Sequence, residues 1–438
     1  MTTSDVPAPA GPTRRGFLGL GAALVGGSLI AACGGGSASG GSGDNTLAFW
    51  DMPWGSVDYT PVAKGLTESY RPAGGLPAAT YQSIPWSNFV STFSSAIASS
   101  TGPAVSTGGG FQAFQFADQG AIARADDVIK AFQADGTADD FLPGMLDAMK
   151  TPGGYVAIPW QADMRIWWYR KSLLDEAGVS PPTTWDELLT AGEALARNGV
   201  YGFGTGAGTT FLGSHAMTMM MINNGGGIFD PDGRVDLLTD RNIEAMTFVR
   251  ELVNAKVIDP SAVSYSRDNT LNQWRNRKFA MGIDTPGLDA NIGDDSGDLR
   301  VMDPISGPHG DKACLVFLNN IMMYANTPSR EGSQAFLAYY VKNMKTLWQR
   351  GVVPGLPVLK SIVALPAFQR QTQNVKIIND WQPIAKTYAT RSTQLSSVLA
   401  KIDGGDPLNQ FTQAMLTGRT APRAALVALQ DSLAAIVK

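Results

Sequence analysis

The stretch Ile158 to Leu189, IPWQADMRIWWYRKSLLDEAGVSPPTTWDELL, dictates a local order that leaves few folds open. Gln161, Asp163 and Arg165 alternate with Ala162, Met164 and Ile166. A period of two places the polar three on one face of a strand, open to water or a ligand. Ile166-Trp167-Trp168-Tyr169 then carries bulk on both faces, as a strand does when it is covered on both sides, so Trp167 and Trp168 belong to the core. Ser172 is placed to cap a short helix whose Leu173, Leu174 and Ala177 share a face, with Gly178 where a left-handed stop is wanted. After Pro181-Pro182, Thr184-Trp185-Asp186-Glu187 has the form of a capping box that opens a second helix and buries Trp185. The order is strand, helix, extended link and helix.

The amino terminus carries a different message. Thr13-Arg14-Arg15-Gly16-Phe17-Leu18 precedes an apolar, glycine-rich run that ends in Ile30-Ala31-Ala32-Cys33. A paired arginine, an apolar region of about 15 residues and small residues before the cut make a secretory signal, too short for an ordinary membrane span. The twin arginine points to the Tat route. The last four residues have the form of a bacterial lipobox, so Cys33 is expected to carry lipid and to begin the mature chain. A plain membrane anchor, or a secreted protein cut elsewhere, is the alternative. Residues 1–32 are then the leader, and residues 33–43 a lipidated cysteine and flexible tether that hold the body at the extracytoplasmic face of the cell membrane. Cys314 is the one other cysteine, so with Cys33 acylated no internal disulfide can form and the core must hold the body. The mature length of about 400 residues suits two domains. The net charge is −4, and the leader removes Asp5, Arg14 and Arg15 to leave −5. With no Lys/Arg run, nucleic acid is excluded as a partner.

Along the body, Thr46 to Trp50 reads as a short strand ending in Asp51-Met52-Pro53-Trp54-Gly55. Ligands gather at the carboxyl ends of strands in α/β sheets, so Trp50, Asp51 and Trp54 are cleft candidates; a core tryptophan and a turn aspartate are the alternative. Residues 78–82 suit a second strand, and Trp86 to Ala98 a helix with Phe89, Val90, Phe93 and Ile97 on one face. A strand over 103–107 runs into Gly108-Gly109-Gly110-Phe111, where bare backbone lets a ligand approach closely. No Gly-Lys-Ser/Thr or G-x-G-x-x-G stands in a strand-to-helix setting, so these glycines are no phosphate cradle. Residues 199–208 suggest a strand and loop. Ser214 to Asn224 is a Met-rich helix of adaptable core type, with Asn223 as a helix stop or a ligand contact. His215 and His309 lie far apart and build neither a zinc site nor a triad, and no metal or cofactor is expected. Trp274 lies in a polar, basic stretch, and Phe279 to Ile283 is a buried strand leading to Asp284-Thr285-Pro286-Gly287. Leu315 to Ala325, a helix over Ser333 to Lys345 and a rigid turn over Gly351 to Pro357 follow. From Ala385 the pattern is helical and includes Arg391; Pro422 opens the last helix, with Gln430 on its exposed face.

Pro159, Asp163, Tyr169, the helix ending at Gly178 and Thr184-Trp185-Asp186-Glu187-Leu188 together resemble the central signature of family 1 extracellular solute-binding proteins, the maltose-binding-protein-like receptors of bacterial ABC importers. Phe279 to Gly287 and Gly351 to Pro357 are similar to two further family segments. The resemblance implies an α/β, two-lobe periplasmic-binding-protein-like fold of type II with a hinge and an inter-lobe cleft. Lobe one is expected over 44–160 plus 285–326, and lobe two over 161–284 plus 327–438. It implies a monomer serving membrane permease subunits, with a carbohydrate as ligand. By family position, binding falls to Gln161, Asp163, Gly110, Phe111, Asn319 and Asn320; the family usually has a Gly-Gly pair where Asn319-Asn320 stands. Trp50, Asp51, Arg165, Asn223, Trp274, Asp284 and Arg391 complete the candidates. Two readings compete with a sugar receptor. One is a receptor for a glycerophosphodiester or other polyol, held by Arg165 or Arg391. The other is a secreted glycoside hydrolase using Asp51 and Asp163 as its carboxylate pair.

Overall fold

The computed structural model describes residues 46–437 except 87–88, 209–211, 392–396 and 404. Cys33, its tether and the leader therefore lie outside the described residues. Twelve strands are present among them: β1 (Leu47–Asp51), β2 (Ala79–Ser83), β3 (Val105–Gly108), β4 (Ile122–Ala123), β5 (Lys150–Thr151), β6 (Gly154–Tyr155), β7 (Ile158–Arg170), β8 (Met281–Asp284), β9 (Leu299–Val301), β10 (Cys314–Tyr324), β11 (Leu356–Pro357) and β12 (Ala385–Lys386). Ten join one sheet in the order β11-β7-β10-β3-β1-β2, with β4 and β12 on β10 and β8 and β9 on β7; β5 and β6 form a separate hairpin.

The 13-residue strand β7 is the joint of this arrangement. Its first half pairs antiparallel with β10, from Ile158 opposite Ile321 to Arg165 opposite Leu315, and its second half pairs with β8 and β9. The first half therefore belongs to the sheet built on the parallel strands β1, β2 and β3, and the second half to the other lobe. Trp167, Trp168 and Trp185 are buried, as their spacing predicts. The polar face is less open than expected. Gln161 and Arg165 are buried, and Asp163 keeps about a third of its side chain exposed.

Capping follows the sequence with two shifts. Thr184 accepts the Glu187 amide at the start of the helix Trp185–Arg197, but the Glu187 carboxylate reaches back to Thr183, taking its amide at 2.7 Å and its hydroxyl at 2.8 Å. The helix Lys171–Ala177 starts one residue before Ser172, whose amide is satisfied by Asp298 Oδ1; Gly178 closes it in the left-handed region at φ 69°. Every residue of the Met-rich helix Leu212–Asn223 is buried, which is why its apolar positions show no face. Residues 199–208 form no strand, only bridges at Tyr201 and Gly204. Gln430 is half-buried and accepts the Leu237 amide.

Two stretches lie in the other half from the one expected. The helix Arg330–Asn343 packs on the helices Tyr59–Glu68 and Asp126–Asp135, and Phe336 meets Phe49 of β1 at 5.3 Å, so this helix belongs with lobe one, whereas the helices Asp406–Leu416 and Pro422–Val437 pack on those of lobe two. Conversely, the helix Leu288–Ile292 packs on the helix Arg267–Arg275, and β9 pairs with the second half of β7, which puts this stretch with lobe two. The lobe boundary at 326 implied by the resemblance is thus not where the chain leaves lobe one; after β10 the chain turns back over helices it has already laid down.

A Cβ on Gly55 would stand 1.7 Å from the Val352 carbonyl oxygen, and the Ser56 amide donates to that same oxygen. The loops at 53–56 and 351–354 can pack this closely only through glycine. Gly55→Ala is expected to cost about 1–3 kcal/mol of stability, measured by denaturant unfolding; an unchanged midpoint would refute the close contact.

Candidate ligand-binding site

A cavity of about 570 Å³ lies between the two lobes, within the usual range of small-molecule sites. One wall comes from Pro53–Ser56 after β1 and from Gly351–Pro354; the other comes from Gly287 and Asp289–Asn291 after β8 and from Arg370–Asn374. The second group is tied to lobe two, since Gln373 Oε1 accepts the Val301 amide of β9 at 2.7 Å. The first wall is mostly apolar, with Pro53, Trp54, Val352, Val353 and Pro354 beside Ser56. The second is rich in amides, with Thr372 adding one hydroxyl and Asp289 and Arg370 one charge of each sign. Burial raises the pKa of Asp289.

Trp54 is held from three sides. Its ring meets Trp86 edge-on at 4.9 Å and Trp160 at 5.5 Å, and its indole N–H donates to Asp51 and Thr107. Trp86 is 45% exposed, with its own N–H donated to the Pro53 carbonyl, so an aromatic ring stands open beside the loop that lines the cavity.

Trp54, a cleft candidate from the sequence, lines this cavity; the thirteen other candidates do not, and the geometry says what each does instead. Asp51 is sealed in the core, where its carboxylate accepts from Trp54, Thr107, Tyr59 and Tyr81. Trp50 points the other way along β1 and packs on Phe93. Gln161, Asn319 and Asn320 form an amide network behind the glycine loop. Asn319 donates to Gln161 and accepts the Gly110 amide, and Asn320 donates to the Gly110 carbonyl at 3.0 Å. Gly110 sits at φ 45°, a region that favours glycine, and the two asparagines hold both its backbone groups. Phe111 is buried against Phe317 and Tyr388. Asn223 accepts from the Trp185 indole and donates to the Ile305 carbonyl, a structural brace. Trp274 is buried edge-on to Phe279. Asp284 is paired with Arg267 at 2.8 Å and Arg391 with Asp236 at 2.6 Å.

Asp163 and Arg165 open a chain of polar contacts that leads into lobe two. Arg165 binds Asp163 at 2.8 Å, lies over the Phe317 ring at 4.9 Å and donates from Nε to His215 Nδ1 at 2.9 Å. With Nδ1 accepting, Nε2 carries the proton toward Asp403, 2.9 Å away, which also accepts from Tyr388. Burial lowers the pKa of His215, and the Arg165 charge adds to that. The guanidiniums of Arg165 and Arg391 are thus both committed to carboxylates, which removes the anchors on which an anionic polyol was expected to depend. Asp51 and Asp163 likewise form no hydrolytic pair, because Asp51 is closed off from any ligand.

The cavity and the polar chain meet at two points. Gly355, next in sequence to the cavity-lining Pro354, is seated directly on the Gln161 amide, and the Trp54 ring lies beside Gly109 of the glycine loop. Sequence reasoning named Trp54 but missed Asp289, Asn291 and Arg370–Asn374. These stand in short helices and turns without a motif, and only the partner-lobe contact makes them a wall.

Two α/β lobes sharing strand β7, with a polar-walled cavity between them, define a periplasmic-binding-protein-like receptor. Residues 78–345 match the model of the bacterial extracellular solute-binding protein family, more than half of the chain, and the chain belongs to that family. The expectation drawn from Pro159 to Leu188 is thereby met. A crystal structure of a sugar transporter from Arthrobacter chlorophenolicus, with bound laminaribiose, is 54% identical, covers 90% of this chain and all of its own, and superposes with a TM-score of 0.81. The maltose-bound MalE3 of T. maritima shares the fold at a TM-score of 0.71 and 18% identity, over 89% of this chain and 98% of its own. A putative binding protein of Brucella abortus is 25% identical over 57% of this chain; the match spans 61% of that relative's length.

The carboxyl of Asp51 gives a stability signature. Burial pushes its pKa up from 3.8 to about 6, against four hydrogen bonds that pull it down. The fold therefore favours the protonated form, so this contribution is fully present below pH 3.8 and is lost as pH rises through about 6. The unfolding free energy of the wild type minus that of Asp51→Asn is expected to fall by up to about 3 kcal/mol between about pH 4 and pH 7. Parallel stability–pH curves for the two proteins would refute it.

Proposed function

We propose that this protein is the substrate-binding lipoprotein of an ABC importer and that it receives a carbohydrate, with a disaccharide of the laminaribiose type as the first candidate. The carrying observation is the 54% identity, across the whole length of the neighbour, to a sugar transporter seen with laminaribiose. The cavity supports the same reading. A sugar ring has an apolar C–H face and a hydroxyl edge, and the cavity opposes an indole and prolines to a wall of amides, one hydroxyl and one charge of each sign. In this reading Trp54 carries the ring face, Gln371, Gln373 and Asn374 meet hydroxyls, and part-exposed Asp163 is the member of the β7 set able to take a further hydroxyl. The protein holds its guest for membrane permease subunits, acts as a monomer and changes no bond in the sugar.

Calorimetric titration with mono-, di- and oligosaccharides tests this. Laminaribiose or a close disaccharide is expected to bind and to be recovered intact; release of monosaccharide would favour a hydrolase, and the absence of any saccharide binding would overturn the proposal. Trp54→Ala is expected to weaken the best ligand by at least about tenfold, and an unchanged Kd would remove Trp54 from the site.

The anchor reading rests on the twin arginine and on Ile30-Ala31-Ala32-Cys33. Cys33→Ala is expected to move the protein out of the membrane fraction on cell fractionation, and a variant that stays membrane-bound would show that lipid on Cys33 is not the anchor.

A further inference from the structure

Asp51, Thr107 and Trp54 close a hydrogen-bonded triangle behind the apolar wall of the cavity. Thr107 Oγ1 donates to Asp51 Oδ1 at 2.5 Å, and the Trp54 indole N–H is shared between that carboxylate oxygen at 3.1 Å and Thr107 Oγ1 at 3.0 Å. An indole nitrogen can only donate, so it needs an acceptor that does not turn away. The hydroxyl supplies one because its single proton is taken by Asp51, which leaves its lone pairs facing the indole. The carboxylate is fixed in turn by Tyr59 at 2.9 Å and Tyr81 at 3.2 Å on Oδ2. The titratable groups facing it are Tyr59 on the helix Tyr59–Glu68, Tyr81 on β2 and Tyr340 on the helix Arg330–Asn343, and none is a cation. Asp51 and Thr107 are fully buried, whereas Trp54 is half-buried and lines the cavity.

We propose that Thr107 is a positioning residue for ligand binding: its hydroxyl, ordered by Asp51, sets the rotation of the Trp54 indole and hence the angle at which that ring is offered to a bound sugar. The proposal rests on the cavity's being the saccharide site. Thr107 reaches no ligand itself. It acts through one N–H, alongside the edge contacts of Trp86 at 4.9 Å and Trp160 at 5.5 Å.

The test is a double-mutant cycle on the full chain, with laminaribiose as the probe and near-UV circular dichroism recorded without ligand. Thr107→Val, which keeps the shape and removes the hydroxyl, is expected to raise Kd about tenfold and to weaken the Trp54 band, defined as the difference between wild type and Trp54→Phe. Thr107→Ser restores the hydroxyl and is expected to recover most of both. In the Trp54→Phe background, which has no N–H to orient, Thr107→Val is expected to add less than about twofold. An equal loss in both backgrounds would overturn the proposal, because it would mean that Thr107 acts through general stability; so would an unchanged Trp54 band in Thr107→Val. If the wild type binds no saccharide, the carbohydrate reading falls, and the ligand-free spectra alone decide whether Thr107 sets the indole.

Discussion

One strand serves two sheets, and most of the structure follows from that constraint. β7 gives its first half to β10 and its second to β8 and β9, so a slip of one residue in either ladder would invert every side chain of the other. Both lobes are thereby indexed to one backbone. This explains why the strand is dense in tryptophan and β-branched or long apolar residues: it is covered on both faces for nearly its whole length. It also explains why its few polar residues are so firmly tied. A buried amide or guanidinium without partners is costly, and Gln161 and Arg165 each have theirs within the protein.

The interior holds much of the polarity that the sequence suggests for a ligand. Asn319 and Asn320 hold the backbone of Gly110, Asn223 braces Trp185 against Ile305, and Asp51 gathers four donors. Each arrangement is local accounting of donors and acceptors, yet together they place the glycine loop and Trp54 with little freedom. The groups that remain open to a ligand are fewer, and they are supplied by loops from both lobes.

What could be read from the chain alone divides along a physical line. Periodicity reports on burial, so β7, the helix Trp185–Arg197 and the final helix Pro422–Val437 were legible. The family resemblance carried the two-lobe architecture. Of the candidate cavity's lining, Trp54 was legible as a cleft residue. Asp51 and Asn223 have the residue types of sugar contacts because hydrogen bonding inside a core uses the same groups as hydrogen bonding to a ligand. The 370–374 wall was invisible for the opposite reason: its residues acquire meaning only when a second lobe faces them. The return of the helix Arg330–Asn343 to lobe one is likewise a fact of long-range packing, carried by the Phe336 contact with Phe49, and no local pattern announces it.

Cys314 opens β10 fully buried, with its thiol donated to the Trp381 carbonyl and its pKa pushed well above the ordinary thiol range by burial. A sulfur so enclosed offers oxidants and foreign thiols nothing to attack. Among the described residues Cys314 is the one cysteine, so no disulfide within them is made or broken by a change of redox conditions, and the packing of the core alone holds this part of the chain.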